Sequence, residues 1–142
     1  MPKSLLDILT SKNLIDLSEA SQIKREAKEK KSSPEDVLYS HGISEVDVAE
    51  AKSALTGFPT RFLQGAAVPF DVLRDLPEEA SRHYKMIPLG RNEGYIDIGM
   101  LNPDDVSTQE AVKFVSSRAD LPARIFVITP SDFQAVLSEY QS

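Results

Sequence analysis

Few side chains of this 142-residue chain have the types and spacing that catalysis or metal binding requires. The chain contains no cysteine, and its two histidines, His41 and His83, show no HxxxH spacing. A metal site would therefore need carboxylates assembled from distant parts of the chain. Both histidines lie near predicted helix ends, where an imidazole ring interacts favourably with the helix dipole. We therefore predict no catalytic residue, no metal site and no cofactor.

The glycines and serines do not complete a known phosphate-binding or nucleophile motif. None of the six glycines begins a GxxxxGK[ST] loop, and no serine lies in a GxSxG sequence. Gly90 and Gly94 instead bracket a predicted hairpin turn at residues 91–94, where glycine supplies a positive φ. The acidic pairs at 78–79 and 104–105 lie at predicted helix starts, where they stabilise the dipole. We therefore predict that this chain is not itself an enzyme.

A basic cluster in the first third of the chain is open to two interpretations. It consists of Lys24, Arg25, Lys28, Lys30 and Lys31. Acidic residues are interspersed among these cations, which is typical of a solvated helix face, but the cluster could also bind an anionic ligand or an acidic partner. The formal net charge of the chain is -6, and neither half is basic. General nucleic-acid binding through phosphates is therefore disfavoured.

Two segments near the N-terminus resemble each other and predict a tandem pair of helical hairpins. Residues 7–16 align with residues 36–44, and one residue is missing from the second copy. In each copy a short amphipathic helix ends at a residue that tolerates the left-handed conformation, Asn13 or Gly42. Two copies are too few for a solenoid, so we expect the hairpins to pack into a small bundle.

Capping residues mark the helix boundaries of this first part. The predicted starts are Asp16 with Glu19, Ser33 with Pro34, and Ser44 with Asp47, and the predicted stop is Gly57 with Pro59. We therefore assign residues 1–59 to a helical tandem-hairpin subdomain.

From residue 60 onward the hydrophobic period indicates strands as well as helices. Strands are predicted at 86–89, 95–98 and 123–128, with a further candidate strand at 61–63. Helices are predicted within 68–84, after a capping box of Ser107 with Glu110, and after Thr129 and Pro130. The predicted fold class is α+β: an N-terminal helical bundle of two tandem helical hairpins, then a small α/β subdomain over 60–142 with a mixed three- to four-stranded sheet.

Residues 76–105 resemble the N-terminal domain of type II secretion and type IV pilus assembly ATPases. In that family an LPxxxAxxY helix leads to a short strand, a polar turn, a second strand and a DP element. The matching residues are Leu76, Pro77, Tyr84, Ile87, Pro88, Leu89, Gly99, Met100 and Pro103. Asn102 stands where the family usually has aspartate.

The resemblance implies a docking and regulatory domain in the cytoplasm. Such a domain binds an inner-membrane platform protein, is associated with the membrane through that partner, and serves a hexameric parent ATPase. On this interpretation the ATPase core would follow Ser142. A stand-alone regulatory protein is the alternative if the gene ends there. We expect an apolar partner-binding patch on the first helix, at Leu5, Leu6 and Leu9.

In many members of this family the tandem hairpins bind cyclic di-GMP through an arginine and a glycine in each copy. This chain has Ser4-Leu5-Leu6 and Ser33-Pro34 at the corresponding positions, so we expect a retained scaffold that has lost its ligand. If the nucleotide does bind, the candidate residues are Asn13, Arg25, Lys28 and Gly42.

Overall fold

The computed structural model describes residues 4–141. The chain divides into two compact units, Met1–Gly57 and Phe58–Ser142, which we call the helical unit and the α/β unit. Eight α-helices and a three-stranded mixed sheet are present in the described residues, which confirms the predicted α+β class.

The helical unit contains four helices, each of which begins at a polar side chain. They are α1 (Leu5–Ser11), α2 (Leu17–Lys30), α3 (Pro34–Ser40) and α4 (Glu45–Thr56). The capping residues are Ser4, Asp16, Ser33 and Ser44, and each accepts a hydrogen bond from the backbone N–H three positions later. Each cap satisfies one of the N–H groups that a helix start leaves without an intrahelical partner.

The sequence repeat of the helical unit is also a structural repeat. The Ser11 hydroxyl donates to the carbonyl of Ile8 at 2.8 Å, and the Ser40 hydroxyl donates to that of Val37 at 2.7 Å. The hairpin turns follow at Asn13 (φ 60°) and Gly42 (φ 87°), both in the left-handed region as predicted.

The core of the helical unit is formed by apolar side chains from all four helices. Helix α1 packs mainly on α4, and α2 packs mainly on α3. The central side chains are Leu9, Ile23, Leu38, Val48 and Ala51, all of them buried. An ion pair adds to this packing, because Nζ of the buried Lys52 of α4 lies 2.8 Å from Oε2 of the half-buried Glu35 of α3.

The α/β unit arranges its helices on a sheet in the order β1-β2-β3. The elements are α5 (Phe70–Leu73), α6 (Glu78–Tyr84), β1 (Met86–Asn92), β2 (Tyr95–Met100), a 3-10 turn (Val106–Thr108), α7 (Gln109–Ala119), β3 (Ala123–Val127) and α8 (Pro130–Glu139). Strands β1 and β2 are antiparallel, whereas β2 and β3 are parallel. The parallel pair requires a crossover connection, which α7 provides.

Apolar side chains cover the two faces of this sheet. One cluster joins Ile87 and Ile128 to Phe133 and Val136 of α8. The other joins Ile96, Ile98 and Met100 of β2 to Val115 of α7. The alternation along β2 follows from the period of two that every strand imposes.

Three boundaries differ from the sequence expectations. Residues 61–63 form no strand, and Thr60 alone makes an isolated bridge to Val127. The Leu63 N–H donates to the Asp132 carboxylate at 2.9 Å, so it is not available to a neighbouring strand. The hairpin turn is two residues long, since Asn92 pairs with Tyr95 inside the strands.

The predicted capping box of Ser107 with Glu110 is also wrong. Asp105 is the cap instead, and it accepts hydrogen bonds from both the backbone N–H (3.0 Å) and the hydroxyl (2.9 Å) of Ser107. The chain therefore makes a 3-10 turn before α7 begins at Gln109.

Gly99 of β2 lies where no side chain fits. A Cβ atom there would be 2.5 Å from Cγ2 of Ile128 and 3.2 Å from Cγ1 of Ile87. We expect Gly99→Ala to lower the free energy of unfolding of the α/β unit by about 1–3 kcal/mol, because it overpacks this core. Hydrogen exchange of the sheet amides in increasing urea would measure the change.

A double-mutant cycle with Ile128→Ala tests that mechanism. Removing the obstructing methyl group should reduce the cost of Gly99→Ala by at least about 0.5 kcal/mol. Strictly additive effects of the two substitutions would show that the close approach of Gly99 to Ile128 is not the cause.

Candidate functional site

The two hairpin turns of the helical unit contain two of the candidate nucleotide-binding residues. Asn13 is exposed and lies in an open depression of about 690 Å³. The depression is lined by Thr10, Asn13, Leu14, Ile15, Asp16, Leu17, Ser18 and Glu19. Two of these residues are acidic and none is basic, so the depression does not favour a phosphate.

The second hairpin turn lies beside two carboxylates of α2. His41, which precedes Gly42, places Nε2 3.1 Å from Glu26 Oε1 and Nδ1 3.6 Å from Glu19 Oε2. The pKa of Glu26 lies below its ordinary value, and the main cause is its hydrogen bond with His41. Burial raises this pKa, whereas the hydrogen bond from Gln22 lowers it further. An anionic ligand at Gly42 would approach these negative charges.

The remaining nucleotide candidates, Arg25 and Lys28, are exposed on α2. A helix turns by about 100° per residue, so Lys28 lies on the opposite side of α2 from Glu19, and Arg25 lies about 120° away. His41 packs against the Glu19 side. The structure therefore does not bring these two cations together with the turn at Gly42.

The proposed partner-binding residues of α1 lie mainly in the core. Leu6 is 4% exposed and Leu9 is 0% exposed, while Leu5 is half-buried against the same cluster. The expectation of an exposed patch on these side chains is therefore corrected, because α1 turns that face toward the interior of the unit. A role of α1 in partner binding stays a prediction.

The densest polar cluster of the α/β unit surrounds Asp97 of β2, whose side chain is fully buried. Its carboxylate accepts hydrogen bonds from Arg124 Nε at 2.8 Å, from Asn92 Nδ2 at 3.1 Å and from Arg61 at 3.3 Å. The parallel register places Arg124 directly opposite Asp97 on β3. The cluster thereby connects the sheet to the segment that precedes it.

The environment of Asp97 keeps its carboxyl group ionised. Burial alone raises its pKa, but the hydrogen bonds from Arg124, Asn92 and Arg61 outweigh burial and hold the pKa below its ordinary value. The same contact raises the pKa of Arg124. A carboxylate that is ionised at neutral pH and already accepts several hydrogen bonds is a poor general acid or base.

Aromatic rings support the two arginines. The guanidinium of Arg61 lies 4.0 Å from the ring centroid of Phe126, and that of Arg124 lies 4.7 Å from the ring of Tyr95. Such cation–π contacts fix the position of a partly exposed guanidinium. The arrangement indicates a structural anchor rather than a reactive centre.

The Asp97 cluster was not predicted, although the sequence contains a signal for it. Asp97 interrupts the apolar run YIDIGM, and Arg124 lies in the buried-strand pattern ARIFV. A charged residue inside an apolar strand needs an opposite charge nearby. The pairing itself depends on the register between β2 and β3.

Neither metal-binding nor membrane-spanning features are found where the structure is described. Within residues 4–141, no group of three or more His, Asp or Glu side chains could hold a metal ion. No helix in that range has the length and apolar character needed to cross a bilayer.

The family model and the solved structures that match this chain agree on its fold. Residues 56–142 match the family model described as MshEN domain. A solved structure of MshE with cdg is similar over 98% of this chain and 99% of that chain, with a TM-score of 0.77 and 23% identity. The N-terminal domain of XpsE is similar over 94% of this chain and 91% of that chain, with a TM-score of 0.65 and 19% identity. No curated protein matches the chain.

Replacing the buried charge should strongly destabilise the α/β unit. We expect Asp97→Asn to lower its free energy of unfolding by about 2–4 kcal/mol, because Arg61 and Arg124 would lose their shared counter-charge. Asp104→Asn is the matched control, since Asp104 is exposed and the same charge is removed. A loss no larger than that of the control would contradict the anchoring role.

The stabilisation by Asp97 should also depend on pH. Because the pKa of Asp97 is lower in the folded state, its contribution is complete above the ordinary value of 3.8 and is lost as pH falls through the folded value. The difference in stability between the parent chain and Asp97→Asn should therefore shrink below pH 3.8. A difference that stays constant in urea titrations from neutral to strongly acidic pH would contradict this.

Proposed function

The chain belongs to the MshEN domain family of secretion-ATPase N-terminal domains, and we propose that it docks its ATPase onto an inner-membrane platform protein. In this proposal it serves a type II secretion or type IV pilus assembly machine and also relays regulation. The observation that carries the proposal is the family match, which covers the complete sheet and its helices.

The structure of the α/β unit supports a binding role over a catalytic one. The polar side chains inside it, above all Asp97 with Arg61 and Arg124, are engaged with one another. Packed apolar clusters on both sheet faces hold the unit in a fixed shape. A pre-organised surface reduces the entropic cost of binding a protein partner.

The cellular setting follows from this proposal. The domain works in the cytoplasm and is held at the inner membrane by its partner. The parent ATPase is a hexamer, so six copies of the domain surround one machine. Weak individual contacts then add up to firm attachment, because each bound copy raises the effective concentration of the others.

The docking proposal predicts direct binding to the platform protein. We expect the full chain to bind the cytoplasmic domain of the platform protein of the same machine with a Kd of about 10 µM or tighter. Isothermal titration calorimetry with the purified partners would measure it. The absence of any heat at about 300 µM would contradict the proposal.

Cyclic di-GMP sensing is the second candidate function, and the structure of MshE with cdg favours it. The helical unit retains the tandem hairpins, with Asn13 and Gly42 at their turns. Against it stand the missing arginines and the carboxylates of Glu19 and Glu26 beside the second turn. We therefore propose that the hairpins serve as a scaffold without this ligand.

A calorimetric titration with cyclic di-GMP distinguishes these alternatives. We expect no saturable heat at about 300 µM nucleotide, because acidic side chains line the depression at the first turn and Glu19 and Glu26 lie beside the second. Saturable binding that is lost in Arg25→Ala/Lys28→Ala would contradict this expectation. It would establish the sensing function and assign those two residues to it.

A further inference from the structure

We propose that the outer face of α2 contacts the anionic lipid surface of the inner membrane. Lys24, Arg25 and Lys28 form this contact, together with the exposed Leu17 beside them. We call the three cations the basic row. The inference goes beyond the proposed function and takes from it only that the domain works next to that membrane.

The charges of α2 alternate in the sequence but are separated on the helix. A helix turns by about 100° per residue, so the basic row falls within a sector of about 100°, and Leu17 lies inside that sector. The side chains that face the core, Ala20, Ile23 and Ala27, lie outside it. The acidic residues of α2 also lie outside the sector: Glu19, Glu26 and Glu29.

The basic row has no counter-charge within the chain. In residues 4–141 none of its members forms an ion pair, whereas Lys30, on another side of α2, lies 3.8 Å from Glu26. Lys24 and Lys28 are four residues apart, so their like charges repel each other along the helix. The helix dipole favours Lys28 in the last turn, but this effect does not reach back to Lys24. An anionic surface would relieve the repulsion.

Acidic groups near α2 leave the basic row locally positive. Glu19 and Glu26 contact His41, which places the end of α3 across α2 from the row. Asp16 caps the start of α2, about 12 Å along the axis from Lys24, which exceeds the screening length of about 8 Å at physiological ionic strength. Of the acids on α2, only Glu29 lies next to the row, beside Arg25.

The shape of the basic row fits a lipid surface. With the exposed Lys31 that follows α2, four cations lie within about 10 Å along the helix, and an array of headgroups can contact all of them. Each such cation raises membrane partitioning by about fivefold. Leu17 and Leu14, which are 76% and 36% exposed at the start of α2, can enter the boundary between headgroups and acyl chains.

The mobility of these side chains favours a membrane over an acidic protein surface. Arg61 and Arg124 are held by Asp97 and by aromatic rings, whereas no described contact fixes the cations of the basic row. A protein partner with matching carboxylates would have to order these long side chains at an entropic cost. A membrane presents its charge uniformly and needs no such register.

Co-sedimentation of the full chain with lipid vesicles tests the inference. We expect binding to equimolar phosphatidylglycerol–phosphatidylcholine vesicles at about 50 mM salt, weaker binding at about 300 mM salt, and none to pure phosphatidylcholine. Lys24→Glu/Lys28→Glu should weaken partitioning by at least about 25-fold, because two attractive charges are lost. Leu17→Ala should weaken it by about threefold to tenfold.

The matched control is Lys113→Glu/Arg118→Glu, which makes the same change in net charge at exposed positions of α7. Its partitioning should stay within about threefold of that of the parent chain, because these positions lie outside the contact. Thermal melting should be nearly unchanged in all variants, since the substituted side chains are exposed.

The outcomes separate the membrane contact from the docking function. Binding that is lost in the Lys24/Lys28 variant and kept in the control supports the inference. Absence of binding to anionic vesicles, or equal loss in variant and control, overturns it, and calorimetry with the platform protein still tests docking by itself. If the parent chain ignores vesicles but the Lys24/Lys28 variant loses binding to the platform protein, the basic row recognises an acidic protein surface and the membrane inference is wrong.

Discussion

The carboxylate of Asp97 is fully buried in the middle strand of the sheet, and hydrogen bonds from Arg124, Asn92 and Arg61 keep it ionised. Arg124 belongs to the neighbouring parallel strand, and Arg61 belongs to the segment before the first helix of the unit. One ionic cluster therefore fixes the register between β2 and β3 and attaches a distant part of the chain. A buried charge requires such partners, because its desolvation would otherwise cost several kcal/mol.

Local signals in the sequence predicted most of the fold. Ser33 and Ser44 marked helix starts, and Asn13 and Gly42 marked the turns, because capping and left-handed geometry depend on a few adjacent residues. The mixed sheet followed from the change in hydrophobic period after residue 59.

Features that depend on tertiary context were not predictable in the same way. Leu6 and Leu9 belong to an apolar stripe that fits a core or an interface equally well, and only packing of α1 on α4 decides for the core. The strand expected at 61–63 did not form, because Asp132, far away in the sequence, takes its backbone N–H.

Hydrogen exchange of the full chain, with and without the cytoplasmic domain of the platform protein, tests the account most directly. We expect complex formation to slow amide exchange in a contiguous set of surface residues of the chain. Unchanged exchange throughout the chain at a saturating concentration of the partner would contradict the docking function.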